Sequence, residues 1–246
     1  MGFYLIGNVG YLQVAAYILF VASVFKFFDN TNIRFFATFL FIGSLSFIYE
    51  IVCKSDFISS FILVATFIIF WHKKFTDNYF TKPLLLGLIV GFLCLTRSLV
   101  IIPLILFLLN PFIKANNSDK LKTVVGFLMS FSILLTTVIF PVKSFEYFKE
   151  FNPLQTQGQG SGFIMIFFLM STVLISFFIE NIQYVFFYSS IILFLLIGSF
   201  LVESVFKGIT FNYLGITYLA SSLPFAIIGY CFLVSEKLAV KSQINF

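Results

Sequence analysis

KPLLLGLIVGFLCLTRSLVIIPLILFLL, residues 82–109, decides the fold. From Pro83 to Leu109 it runs 27 residues with a single charge, Arg97. A lipid crossing takes about 20 mostly apolar residues. One tilted helix fits the run. So do two short helices meeting at Arg97, each reaching about 20 Å at 1.5 Å per residue. Backbone groups find no water partner in hydrocarbon, so such a run is helical unless a barrel closes. The alternation of apolar and polar residues that a barrel needs is absent.

The rest of the chain has the same character. Its 246 residues are 60% hydrophobic and 10% charged, with mean hydropathy +1.07. A soluble domain carries about 25% charged residues. Further apolar runs cover about Val9–Phe28, Ile33–Ile51, Phe57–Trp71, Thr123–Phe140, Phe163–Ile179, Tyr184–Val202 and Phe211–Val234. The expected fold is all-α: a polytopic transmembrane bundle of about 8–9 helices, forming one integral membrane domain over residues 1–246. Lys114–Lys122 reads as a basic loop, Pro141 as a helix end and Glu236–Phe246 as a polar tail. Lys143–Phe151 is amphipathic and reads as an interfacial helix. It leads into a polar, Gly-rich outer loop, so that 143–162 stands outside the spans. Trp71, beside His72-Lys73-Lys74, reads as an aromatic anchor at a cytoplasmic boundary.

Charge chooses between the two parses of 83–109. With two helices, ten cations lie inside: Lys26, Arg34, Lys73, Lys74, Lys82, Lys114, Lys120, Lys122, Lys237 and Lys241. Five lie outside: Lys54, Arg97, Lys143, Lys149 and Lys207. With one helix the ratio falls to eight against six, and Arg97 is left in the bilayer. A lone Arg there costs roughly 2.5–3.5 kcal/mol or more. The two-helix parse obeys the positive-inside rule better. It gives nine helices in the plasma (inner) membrane, with the N-terminus outside and the C-terminus cytoplasmic.

Several functions are disfavoured. The net charge of +5 is scattered singly between apolar runs, which speaks against nucleic acid. Cys53, Cys94 and Cys231 are far apart, with no CxxC and one His, so no zinc site is expected. No cofactor is evident, and nothing specific supports a divalent metal. The first residues lack the basic region and cleavage site of a signal peptide, and position 6 lacks the Ser or Thr of a myristoylation motif.

The candidate chemistry falls on the outer face. Arg97, ionised between apolar helices, suits a bidentate grip on phosphate. It equally suits an ion pair with Asp56 or Glu50 that pins two helices. Asp56 follows Ser55 at a helix start, a capping signal; with Glu50 it is also the nearest candidate for a catalytic carboxylate. Lys54, four residues from Glu50, suits a helical ion pair or a substrate contact. Asn152 and Gln155 of the outer loop are candidate substrate contacts. Gly158–Gly162 opens a helix, which suits a flexible loop or an anion.

Three passages carry a family resemblance. GFLCLTRSLVIIP (91–103) resembles the short-helix junction of multi-pass glycosyltransferases of the GT-C superfamily. KSDFISSF (54–61) and FNPLQTQ (151–157) resemble segments of uncharacterised bacterial members, the second an extracytoplasmic loop. The resemblance covers about residues 40–170. It implies transfer of a sugar from a polyprenyl-phosphate donor to an envelope lipid or polysaccharide, with membrane lipid as a partner. The family's catalytic carboxylate lies in a large loop after the first helix. This chain shows no such loop, which implies a missing N-terminal segment, a separate partner subunit or lost catalysis. No catalytic residue is therefore carried over. The alternatives are a transporter or flippase of lipid-linked saccharide, and a non-catalytic membrane subunit.

Overall fold

The computed structural model describes residues 10–44, 48, 57–142, 162–206 and 218–244. Among these, the secondary structure is all helical, with no strand. Nine α-helices follow in order: α1 (Gly10–Phe27), α2 (Thr31–Ile42), α3 (Phe57–Lys74), α4 (Pro83–Thr96), α5 (Ile101–Lys114), α6 (Asn117–Val142), α7 (Gly162–Ser176), α8 (Ile182–Phe206) and α9 (Leu223–Ile244). Short 3₁₀ turns occupy Tyr79–Thr81, Ser98–Val100 and Tyr218–Ser222.

Local chemistry sets the ends. Asn30 Oδ1 accepts from the N–H groups of Asn32 and Ile33 at 2.9 and 3.2 Å, capping α2. Pro83 opens α4, where a missing N–H costs nothing. The 83–109 run is two helices: α4 stops at Thr96, Arg97 is extended (φ −158°, ψ 142°), and a 3₁₀ turn leads into α5.

Four boundaries differ from the sequence reading. The basic loop contracts to Ala115–Asn116, because Asn116 O accepts from Asp119 and Lys120 N–H at 3.0 Å and starts α6 at once. Its lysines are helical side chains. The polar tail is helix as far as Ile244, and α6 runs past Pro141 to Val142. The second run breaks at Gly43, whose N–H closes on Phe39 O at 2.8 Å. Such breaks shorten the spans. Among the described residues, two helical stretches, Ile182–Glu203 and Leu219–Glu236, are long and apolar enough to cross a membrane; five other apolar helices are shorter.

α3 is the centre of the bundle. It packs against α1, α4, α5 and α9. Ile58, Phe61, Ile62, Val64, Ala65, Ile68 and Ile69 are buried, so its burial extends around the helix. Stacked Phe20 and Phe41 join α1 to α2, with ring centroids 4.3 Å apart. Phe186 of α8 meets Phe225 and Phe232 of α9 at 6.2 and 5.9 Å. α4 and α6 pack most closely of all, through glycine. Gly87 and Gly91 of α4 face the backbone of Thr123 and Phe127, and Gly126 of α6 faces the backbone of Leu84 and Leu88. Small residues four apart let helix backbones touch, a packing mode common in lipid. Outside this contact, Leu121, Leu128 and Ile133 of α6 are more than half exposed. Large exposed apolar side chains also line α1, α2, α7 and α8. Apolar surface on that scale marks a membrane or a partner.

Candidate functional site

The bundle has two chemically different ends. At one, the connection after α3, the α5–α6 turn and the α7–α8 turn meet around a polar cavity of about 640 Å³. Lys26 lies over Phe70, and Lys73 over Phe232, bringing the ends of α1, α3 and α9 to the same side. The starts of α4 and α6 are aligned there by the Leu84–Gly126 contact. Among the described side chains, this end therefore gathers Lys26, Arg34, Lys73, Lys74, Lys82, Lys114, Lys120 and Lys122. The other end holds the Arg97 junction.

The cavity is built on a folded turn. Trp71 Nε1 donates to Tyr79 O at 3.1 Å, and His72 Nδ1 lies 2.6 Å from the Tyr79 hydroxyl. Asn78 Oδ1 accepts from Phe80 N–H at 2.8 Å, capping the 3₁₀ turn. Trp71 is buried, 6% exposed, so it is a structural clasp and not an anchor in the interface. Burial pushes the His72 imidazole below its usual pKa, helped by neighbouring Lys73. Burial also raises the Tyr79 phenol. Both shifts keep the pair neutral near pH 7. Around Tyr79 the lining carries Asp77, Asp119 and Glu180 against Lys114, with Asn78, Asn110, Asn116 and Asn181. Among the described residues no three His, Cys, Asp or Glu side chains come together as a metal-binding set.

At the other end, Arg97 is half-buried between α4 and α5. Thr96 Oγ1 donates to Leu93 O at 2.6 Å and closes α4. Leu99 and Val100, at 6% and 0% exposure, bury the turn beyond it. A second recess of about 670 Å³ lies between the start of α7 and the end of α8. Ile164, Phe194, Leu195, Gly198, Val202 and Phe206 line it, with Ser199 and Glu203 as its polar groups. Because α7 and α8 meet by their other termini at the polar cavity, this recess opens toward the Arg97 end.

Of the candidate catalytic and substrate-contact side chains named from sequence, Arg97 is described; Gly162, the last residue of the glycine-rich run, opens α7. Glu50, Lys54, Asp56, Asn152 and Gln155 lie outside the described residues, as do the interfacial segment 143–151 and the loop to residue 161. The polar cavity was missed. Its signal was available in the cluster TDNYFT (76–81) and in Asn116-Asn117, turn formers flanking helices. Compared with family models, curated proteins and solved structures, the chain matches none.

Proposed function

We propose that the chain is a single polytopic domain of the plasma (inner) membrane that receives a polyprenyl-phosphate-linked sugar at Arg97. There it serves sugar transfer to an envelope acceptor in the manner of GT-C enzymes. The observation that carries this reading is the break of an apolar run at Arg97 into two 14-residue helices. Irregular backbone at membrane depth belongs where it lines a cavity or a protein interior, and a guanidinium there is matched to a phosphate. The apolar recess between α7 and α8 offers room for prenyl chain on the same end. The gathering of Lys and Arg side chains at the opposite end, among the described residues, supports a cytoplasmic placement for that end and an outer placement for Arg97. An outer carboxylate, Asp56 or Glu50, would take the acceptor proton.

A second reading, transport of the lipid-linked saccharide, draws on one further observation. α9 starts as α5 does, from a 3₁₀ turn with a proline in the first helical turn (Pro224 and Pro103), and both turns touch α3. Paired interrupted helices are a transporter signature. The test uses the full chain in vesicles with a labelled polyprenyl-phosphate sugar and envelope lipid extract as acceptor. Label transfer that Arg97→Ala abolishes while membrane insertion persists is the expected result. Unchanged transfer by Arg97→Ala refutes the site. Movement of the labelled lipid between leaflets without transfer favours transport.

A further inference from the structure

We infer that the α1–α2 turn and the last turn of α3 form a docking surface for an anionic phospholipid. Its phosphate would meet Lys26, Lys73 and Arg34, and its chains would lie on the aromatic flank of α1 and α2. The inference rests on the membrane reading above.

The cations sit around one knot of rings. Lys26 Nζ is 5.7 Å from the centre of the Phe27 ring and 5.4 Å from that of Phe70. Lys73 Nζ is 6.0 Å from the Phe232 ring. Phe27 packs edge-on to Phe70 at 4.9 Å, and Phe28 to Phe232 at 5.1 Å, so these cations share a base. Arg34 donates from Nε to Phe28 O and lies over the Phe25 ring at 5.8 Å. Cations held over rings keep their stems in apolar surroundings and their heads at the polar boundary.

Their charge is little balanced. Asp29 pairs with Arg34 at 3.6 Å and is itself fully exposed. Lys26, Lys73 and Lys74 have no carboxylate within 4.0 Å among the described residues. The cavity flank of the same end differs, since Asp77, Asp119 and Glu180 there outnumber Lys114. The cations of α1–α3 are thus less offset by carboxylates than the lining of the cavity is.

The surface beside these cations is apolar. Phe25, Phe35 and Phe39 are 41%, 64% and 75% exposed. Phe25 and Phe35 touch edge to face at 6.4 Å, directly beneath Arg34. A soluble polyanion has no use for that strip, whereas a phospholipid presents phosphate and chain together. Juxtamembrane cations of this kind attract anionic lipid.

The test is lipid retention by the full chain in nanodiscs of phosphatidylcholine mixed with phosphatidylglycerol. The wild type should retain phosphatidylglycerol preferentially. The combined Lys26→Gln, Arg34→Gln and Lys73→Gln variant should lose that preference by at least about tenfold. The matching Lys→Arg variant should keep it, which separates lost charge from lost folding. Lys120→Gln with Lys122→Gln, on α6, should also keep it. Retained preference in the triple Gln variant, equal loss in the α6 variant, or displacement by heparin overturns the inference. Alkaline extraction separates the two levels. A wild type that leaves the membrane sinks the membrane reading, while one that stays but shows no lipid preference sinks only this inference.

Discussion

Adding one methyl group to α4 tests the closest contact in the fold. A Cβ on Gly91 would lie 2.8 Å from Phe127 O, 3.0 Å from Ser130 Cβ and 3.3 Å from Phe127 Cα. Ordinary contact begins at 3.4 Å, so relief takes 0.6 Å of separation. Two of the three obstacles are backbone, which cannot rotate away, so α4 and α6 must move apart. Gly87 is tighter: its Cβ would overlap Thr123 O and sit 2.8 Å from Phe127 N. Overpacking of this kind costs about 1–3 kcal/mol. Chains of this length lose roughly 2–4 °C per kcal/mol, so Gly91→Ala should lower the melting midpoint in detergent by about 2–12 °C, and Gly87→Ala by at least as much. Gly198→Ala is the control. Nothing lies within 4 Å of its Cβ, and alanine in a helix interior is favoured by about 0.5–1 kcal/mol. Midpoints read by size exclusion after heating should rank Gly198→Ala at or above the wild type, with Gly91→Ala and Gly87→Ala below. If both α4 variants rank with Gly198→Ala, α4 and α6 do not meet backbone to backbone.

The clasp on the 75–81 turn should respond to pH. His72 holds a lowered pKa in the fold, so the unfolded chain binds more protons as pH falls below about 6.5, and stability declines with it until the folded value is passed. Melting at pH 7.5 and 5.5 should show this drop, and His72→Asn should flatten it; an unchanged slope refutes the assignment. Trp71→Phe keeps an aromatic ring but loses the bond to Tyr79 O, and should cost about 0.5–1.5 kcal/mol, read as a lower midpoint in the same assay. In a chain whose Cys53, Cys94 and Cys231 are replaced by alanine, Gln157→Cys should react with an impermeant maleimide on intact cells. Reaction only after lysis would reverse the orientation.

Some of this was legible in the sequence for definite reasons. Arg97 inside an apolar run is costly enough to force a break, and α4 and α5 divide there. Pro83 marks a helix start by its own chemistry, and α4 opens there; the Asn30 cap of α2 was not read from sequence. Misreadings came where polarity stood in for irregularity. Lys114, Lys120 and Lys122 look like loop because they are charged, yet helices carry charge readily on an outer face. The glycine crossing was hidden differently: Gly87 and Gly91 show the spacing of a contact, but only packing reveals Gly126 as the third member. The central place of α3 is equally invisible, because its apolar residues resemble those of any other run. For the proposed site, Arg97 stood out through its cost, while the cavity at Tyr79 was passed over because turn residues between apolar runs read first as a turn.

The two ends then make different demands on a ligand. The cavity end has depth and polar groups, and would ordinarily be the first place to seat a substrate. Its lining sets Asp77, Asp119 and Glu180 against Lys114. The Arg97 end has less room for polar groups but offers a half-buried guanidinium, an interrupted backbone and an apolar recess between α7 and α8. A lipid-linked phosphate needs a cation beside hydrocarbon, and the Arg97 end pairs a guanidinium with an apolar recess. On the proposed reading the sugar lipid sits at the Arg97 end and not in the cavity. Reversing Asp77 and Glu180 to lysine should therefore leave binding of a labelled polyprenyl phosphate unchanged, while Arg97→Glu should abolish it. A loss from the cavity variants in a chain that still inserts and melts normally would move the site to Tyr79.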